Sequence, residues 1–125
     1  MMFDTDVLIW VLRGSEKAAR LIEGVDDKCL SVVSYMELLQ DARDRLECRA
    51  IKSFLGDFGF RVLPLTENVG HRASIYIEEY ALRSRMCVAD ALVAATAVES
   101  GVPLCTADRK HCRLVKDLEI HAFRP

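Results

Sequence analysis

The first ten residues, Met1-Met2-Phe3-Asp4-Thr5-Asp6-Val7-Leu8-Ile9-Trp10, constrain this chain more than any other stretch. A very short apolar strand runs into a carboxylate, and an apolar helix begins at once. Asp4 or Thr5 can cap that helix, because each carries an oxygen able to accept from the free N–H groups of the first turn. In an open α/β sheet, sites form in the crevice beyond the carboxyl ends of the strands. Asp4 stands at such an end, so what matters next is which other groups the chain delivers there.

Three further segments deliver acids in a similar setting. Ser31-Val32-Val33-Ser34-Tyr35-Met36-Glu37 passes from a β-rich stretch into a helix carrying Glu37. Val88-Ala89-Asp90-Ala91-Leu92-Val93-Ala94-Ala95 opens an almost wholly apolar helix with Asp90 near its start. Val102-Pro103-Leu104-Cys105-Thr106-Ala107-Asp108 is a short strand ending in Asp108. Any one of these acids alone is accounted for as a helix cap or a solvated side chain. Glu37 follows Ser34 at capping-box spacing, which competes directly with a ligand role. Four acids at matching strand-to-helix junctions ask for more. Gathered in one pocket they repel, so at least one should titrate above the ordinary carboxylate range. They also need a cation, and Mg²⁺ or Mn²⁺ is the hard ion that suits oxygen ligands. The charge of Asp90 beside so apolar a helix is costly unless paired or metal-bound, and the helix N-terminus helps to hold it. Thr5, Asp6 and Thr106 flank the same pocket. The threonines either satisfy backbone groups at turns or orient carboxylates around a metal.

The rest of the chain alternates strands and helices. Ser15 to Glu23 has helical spacing of Ala18, Ala19, Leu21 and Ile22. Cys29 to Val33 reads as a buried parallel strand. Helical pattern runs from Tyr35 to about Leu55 with a break near Asp44, and ends at Gly56 and Gly59. A third strand covers Phe60 to Leu65. Thr66 caps a helix reaching Arg83, and Ser84 to Cys87 is a connector. The helix from Ala89 to Ser100 is apolar on nearly every side, hence central, and Gly101 stops it. Pro103 to Cys105 is a fourth strand and Ile120 to Phe123 a last one. This alternation predicts one α/β domain over residues 1–125, with a mostly parallel central sheet of four to five strands and helices on both faces.

At 125 residues the chain can build one domain with a real core, not two. Its 51% hydrophobic and 29% charged composition excludes a disordered polymer. No apolar run approaches the roughly 20 residues of a membrane helix, and the N-terminus lacks the basic region of a signal peptide. The five cysteines form no CxxC pair, which predicts reduced thiols in the cytoplasm. Cys105, His111, Cys112 and His121 lack standard zinc spacing. A net charge of −2 argues against a grip on nucleic acid unless the acids are concentrated in a metal-filled pocket. In that case Arg83, Arg85, Arg109, Lys110, Arg113 and Lys116 remain as phosphate contacts, or equally as a solvated basic face.

Taken in order, Asp4-Thr5-Asp6-Val7-Leu8-Ile9, Glu37-Leu38-Leu39, Asp90-Ala91-Leu92-Val93-Ala94-Ala95-Thr96-Ala97 and Thr106-Ala107-Asp108 resemble the acidic motifs of PIN-domain ribonucleases, most closely the VapC-type toxins of toxin–antitoxin pairs. The chain departs from that pattern at Asp41, where many relatives have glycine, and at Cys112, where many have phenylalanine. The resemblance implies a PIN-like domain in which Asp4, Glu37, Asp90 and Asp108 hold one or two Mg²⁺ ions, with Mn²⁺ as a substitute. It implies hydrolysis of RNA to a 5′-phosphate and a 3′-hydroxyl, a homodimer, and a small antitoxin partner covering the acidic pocket. Trp10, Leu12, Leu21, Ile22 and the helix after Ser34 would supply an apolar groove for it, or simply core. Two alternatives stand beside this. Asp4-Thr5-Asp6 after a strand also opens haloacid-dehalogenase-type phosphatases, although Leu8 stands where that family has threonine. A non-catalytic binding module on the same fold is the other.

Overall fold

The computed structural model describes residues 1–125. Its local structure follows from caps and breaks. Strand β1 (Met2–Phe3) ends at Asp4, whose carboxylate caps α1 (Thr5–Leu12) by accepting from the Thr5 N–H at 2.8 Å. Gly14, at φ +92°, turns the chain into α2 (Glu16–Glu23), capped by Ser15. Strand β2 (Cys29–Ser31) then passes directly into α3 (Val32–Gln40). The helical stretch expected from Tyr35 to Leu55 is two helices. The second, α4 (Arg45–Asp57), starts at Asp44, whose carboxylate accepts from the Glu47 N–H at 2.8 Å. Edge strand β3 (Arg61–Leu63) leads through the cap Thr66 into α5 (Glu67–Ser84). Then come α6 (Val88–Glu99), β4 (Leu104–Thr106) and β5 (Ile120–Ala122).

All five strands are parallel, in the order β3-β2-β1-β4-β5. The chain builds outward from β1 through β2 to β3, then crosses back to lay β4 and β5 on the other side. The order therefore reverses at β1, and the crevice at such a reversal is where open α/β sheets bind ligands. Register and period place the two cores. Met2 pairs with Cys29 and Leu104, and all three face the layer built by α5 and α6. Phe3 and Cys105 pair, and with Leu30 they face the opposite layer of α1, α2 and α4. Successive residues of a strand point to opposite faces, so strands only two or three residues long still serve both cores. The predicted mostly parallel sheet with helices on both faces is what forms.

Helix α6 is as central as its composition predicts. Ala91, Ala94, Ala95 and Ala97 are fully buried, and these small side chains let α6 lie close against α5 and the sheet. Gly101, at φ +65°, terminates it. No helix is long and apolar enough to cross a membrane. All five cysteines are free thiols.

Candidate active site

Each expected acid reaches the cleft from a different element. Asp4 arrives as the residue after β1. Its second oxygen accepts from the Thr106 hydroxyl, at the end of the neighbouring strand β4, at 2.9 Å. Glu37 arrives from the second turn of α3 and accepts from the Thr5 hydroxyl at 2.7 Å. Asp90 arrives in the first turn of α6. One of its oxygens accepts from both the backbone N–H and the thiol of Cys87, each at 3.1 Å. Asp108 arrives just beyond β4, accepts from the Lys110 N–H at 3.1 Å, and stands 3.5 Å from His111 Nε2. Asp4, Glu37, Asp90 and Asp108 together line one cleft of about 300 Å³.

Glu37 needs one correction at the level of local structure. Strand β2 stops at Ser31 rather than Val33, and Ser31, not Ser34, caps α3 by accepting from the Val33 N–H at 3.1 Å. No capping box forms between Ser34 and Glu37. Ser34 is buried with its hydroxyl unpartnered, while the Glu37 side chain is turned to Thr5 in the cleft. The pairing of β2 with β3 is the reason. Ser31 is the last residue in register, opposite Leu63, so the helix starts three residues early.

Asp6 has a different task from the other acids. Its Oδ2 accepts from the Ala107 and Asp108 N–H groups, both at 3.1 Å, and lies 3.3 Å from the Thr106 hydroxyl, whose one proton goes to the nearer Asp4 oxygen. It thereby clamps the end of β4 to the first turn of α1. Its Oδ1 is buried without a partner. Burial raises Asp6 above the ordinary carboxylate range, against the pull of those N–H donors. Asp4 goes further: burial first, then the charge of Asp6, push it from 3.8 up to about 6, although Thr106 and Thr5 donate to it. Asp4 thus titrates high chiefly because it is buried, with like charge adding to the rise.

Do these residues suit a divalent ion? The cleft offers carboxylate oxygens, an orphaned buried oxygen on Asp6, and in Asp4 a carboxyl pushed up to about 6 by burial and the charge of Asp6. That is a donor set for a hard, oxygen-seeking dication. As the side chains lie, no three of the acidic, histidine or cysteine groups stand within common reach of one ion. Mutual repulsion keeps like charges apart when nothing positive stands between them. The donor chemistry fits, and closure onto an ion needs side-chain rotation.

Three ionisable cleft residues were not among the expected site residues: Asp41, Cys87 and His111. Asp41 carries a readable signal, since it lies four residues after Glu37 and so on the same helical face. Of the six basic candidates, Arg109, Lys110 and Arg113 share one cleft. Arg83 lies over the Tyr80 ring, and Lys116 lines a separate depression with Arg72 and Asp117. Of the apolar groove candidates, Ile22 is core and Trp10 and Leu21 pack against it. Leu12 does line an open groove, with Ile9, Leu38 and Ile51.

A doubly wound parallel sheet, reversing at a strand that ends in an acid and gathering further acids there, defines an α/β domain with an acidic cleft at its switch point. The chain belongs to the PIN domain family, whose model matches residues 1–117. Among solved structures it is similar to a toxin-antitoxin complex from Klebsiella pneumoniae, at 21% identity and a TM-score of 0.80 over 94% of this chain and 93% of that one. It is similar to VapBC2 from Rickettsia felis bound to a DNA fragment from the promoter, at 14% identity and a TM-score of 0.80 over 98% of each chain. It is also similar to VapBC-1 from nontypeable Haemophilus influenzae, at 20% identity and a TM-score of 0.80 over 97% and 96%. At these identities the likeness is one of fold. No curated protein matches the sequence significantly.

Proposed function

We propose that this chain is a Mg²⁺-dependent endoribonuclease and the toxin of a toxin–antitoxin pair. The observation that carries the proposal is the convergence of Asp4, Glu37, Asp90 and Asp108 on one cleft, with Asp4 pushed up to about 6 by its surroundings. Burial and the neighbouring Asp6 both disfavour the Asp4 charge, and a cation in the cleft would offset both. When bound, Mg²⁺ or Mn²⁺ supplies a water acidic enough to attack at neutral pH and offsets charge growing on the phosphate. The protein's part is orientation. Thr106 fixes Asp4, the Ala107 and Asp108 N–H groups fix Asp6, Thr5 fixes Glu37, Cys87 fixes Asp90, and the Lys110 N–H fixes Asp108. No serine, cysteine or histidine nucleophile is needed.

The phosphatase alternative requires Asp6 to face the substrate and exchange a proton. Here one of its oxygens is committed to two backbone N–H groups and the other is buried rather than facing the open cleft. For the partner, the similar chains come from toxin–antitoxin complexes. The groove lined by Ile9, Leu12, Leu38 and Ile51 adjoins the cleft through Ile9 and Asp41, so a segment lying in it would reach the acids. We take the active form to be a cytoplasmic homodimer.

The test is incubation of purified protein with labelled RNA and Mg²⁺, with and without EDTA. Wild type cuts and EDTA stops it. Asp4→Asn and Asp90→Asn each lower cleavage by on the order of 100-fold or more while remaining folded, because losing a ligand costs at least what losing its outer support does. Full activity of either variant in Mg²⁺ would sink the mechanism. RNA bound but never cut by wild type would favour the binding module.

A further inference from the structure

Beside the acidic cleft lies a second one of opposite sign. Its volume is about 640 Å³, and its lining is Ala107, Arg109, Lys110, Arg113, Leu118 and Ile120, with no carboxylate among them. The two clefts meet along the backbone: Asp108 lines the first and Arg109, the next residue, lines the second. Adjacent Cα atoms are roughly 3.8 Å apart.

The three cations are free. Arg20, Arg43, Arg61 and Arg72 are each paired with a carboxylate, whereas Arg109, Lys110 and Arg113 are exposed and make no ion pair. Nearby Asp108 is already occupied by the Lys110 N–H and His111. The backbone that carries them is hydrogen-bonded. Arg113 N–H donates to the Arg109 carbonyl at 2.9 Å, and Cys112 N–H to the same carbonyl at 3.2 Å. Arg109 and Arg113 therefore stack four residues apart on one turn, where like charges repel unless an anion lies between them. Cys112 and Val115 of the same stretch are buried in the core beside α5 and α6. Ala107, Leu118 and Ile120 leave an apolar floor beneath the charges.

We infer that this basic cleft is a phosphate-binding exosite for single-stranded RNA, taking backbone phosphates adjacent to the one presented to the acids. The inference rests on the nuclease reading for what happens at the neighbouring cleft, but the binding itself does not. Forked guanidinium groups suit phosphate oxygens, and the apolar floor suits an unstacked base. The arrangement also answers how a chain of net charge −2 can hold a polyanion: the acids and the free cations are sorted into adjoining clefts.

Binding of a labelled single-stranded RNA oligonucleotide in EDTA, over a series of salt concentrations, tests this without any turnover. Arg109→Ala/Arg113→Ala is compared with wild type and with Arg61→Ala, a control on the opposite sheet edge. The double variant should bind about tenfold or more weakly. Its slope of log K against log salt should be shallower by about 0.7 for each phosphate that is no longer neutralised. The control should match wild type. With Mg²⁺, kcat/KM should fall in the double variant while kcat at saturating RNA is kept. An affinity and slope equal to wild type in the double variant overturn the exosite, as does an equal loss in the control. Tighter, variant-sensitive binding of duplex DNA than of RNA overturns the choice of ligand. If wild type binds RNA through these arginines yet cuts none in Mg²⁺, the nuclease reading fails and the exosite stands.

Discussion

Asp4 is the residue on which the site turns. Its carboxyl stands at about 6 in the folded chain against 3.8 unperturbed, so the folded state holds this proton more tightly than the unfolded state. The stability it contributes is fully present below pH 3.8 and is lost as pH rises through about 6. A shift of that size corresponds to about 3 kcal/mol between the two protonation states. Asn at this position keeps an oxygen for the Thr5 N–H and remains a good cap. In EDTA, wild type should therefore lose melting temperature relative to Asp4→Asn between roughly pH 4 and pH 7. Mg²⁺ binds the folded pocket alone, so it should raise the wild-type midpoint strongly and the variant's much less. Parallel pH curves with equal gains from Mg²⁺ would remove Asp4 from any metal pocket. The same reasoning separates Thr5 and Thr106 from ordinary turn residues, since their hydroxyl protons are spent on Glu37 and Asp4.

Among the elements, α4 and α6 make opposite demands. Helix α4 depends on its cap: Asp44 holds the Glu47 N–H and takes no part in the acidic cleft. Asp44→Ala should cost about 1 kcal/mol in urea unfolding and leave RNA cleavage unchanged. Helix α6 depends on smallness. Ala94 and Ala95 are fully buried between α5 and the sheet, so Ala94→Leu should cost about 1–3 kcal/mol by overpacking. Because Asp90 rides on the first turn of this helix, that variant should also cleave poorly, even under conditions where circular dichroism shows it folded. Normal cleavage by a measurably destabilised Ala94→Leu would mean that the position of Asp90 tolerates movement of the helix carrying it.

At the scale of the molecule, the acids sit at the one place where the strand order reverses. Expression of the chain without a cognate antitoxin should arrest growth, and expression of Asp4→Asn should not. Harmless expression of wild type, with soluble protein confirmed, would remove the toxin assignment and leave the chemistry to be judged by the RNA assay.

Much of this protein was legible from sequence because much of it is local. The caps Asp4 and Thr66, the break near Asp44, the stop at Gly101, and the apolar character of α6 on nearly every side are set by side chains within a few residues of where they act. The four acids were legible from their local setting, although only Asp4 stands where a strand gives way directly to a helix: Glu37 lies in the second turn of α3, Asp90 follows the break between α5 and α6, and Asp108 precedes a run of turns after β4. What only the tertiary structure decided are the pairings across long stretches of chain. Thr106 reaches Asp4 across 102 residues, and Thr5 reaches Glu37 across 32. Asp6 becomes a clamp on β4, and Ser31 displaces Ser34 as a cap because β2 is in register with β3 only as far as Leu63. Strand order also divides the basic residues, leaving Arg109, Lys110 and Arg113 together and Lys116 elsewhere. Cap chemistry and periodicity act between neighbours and can be read from them. Sheet order and register are settled by burying two apolar faces at once, and that sum runs over the whole chain.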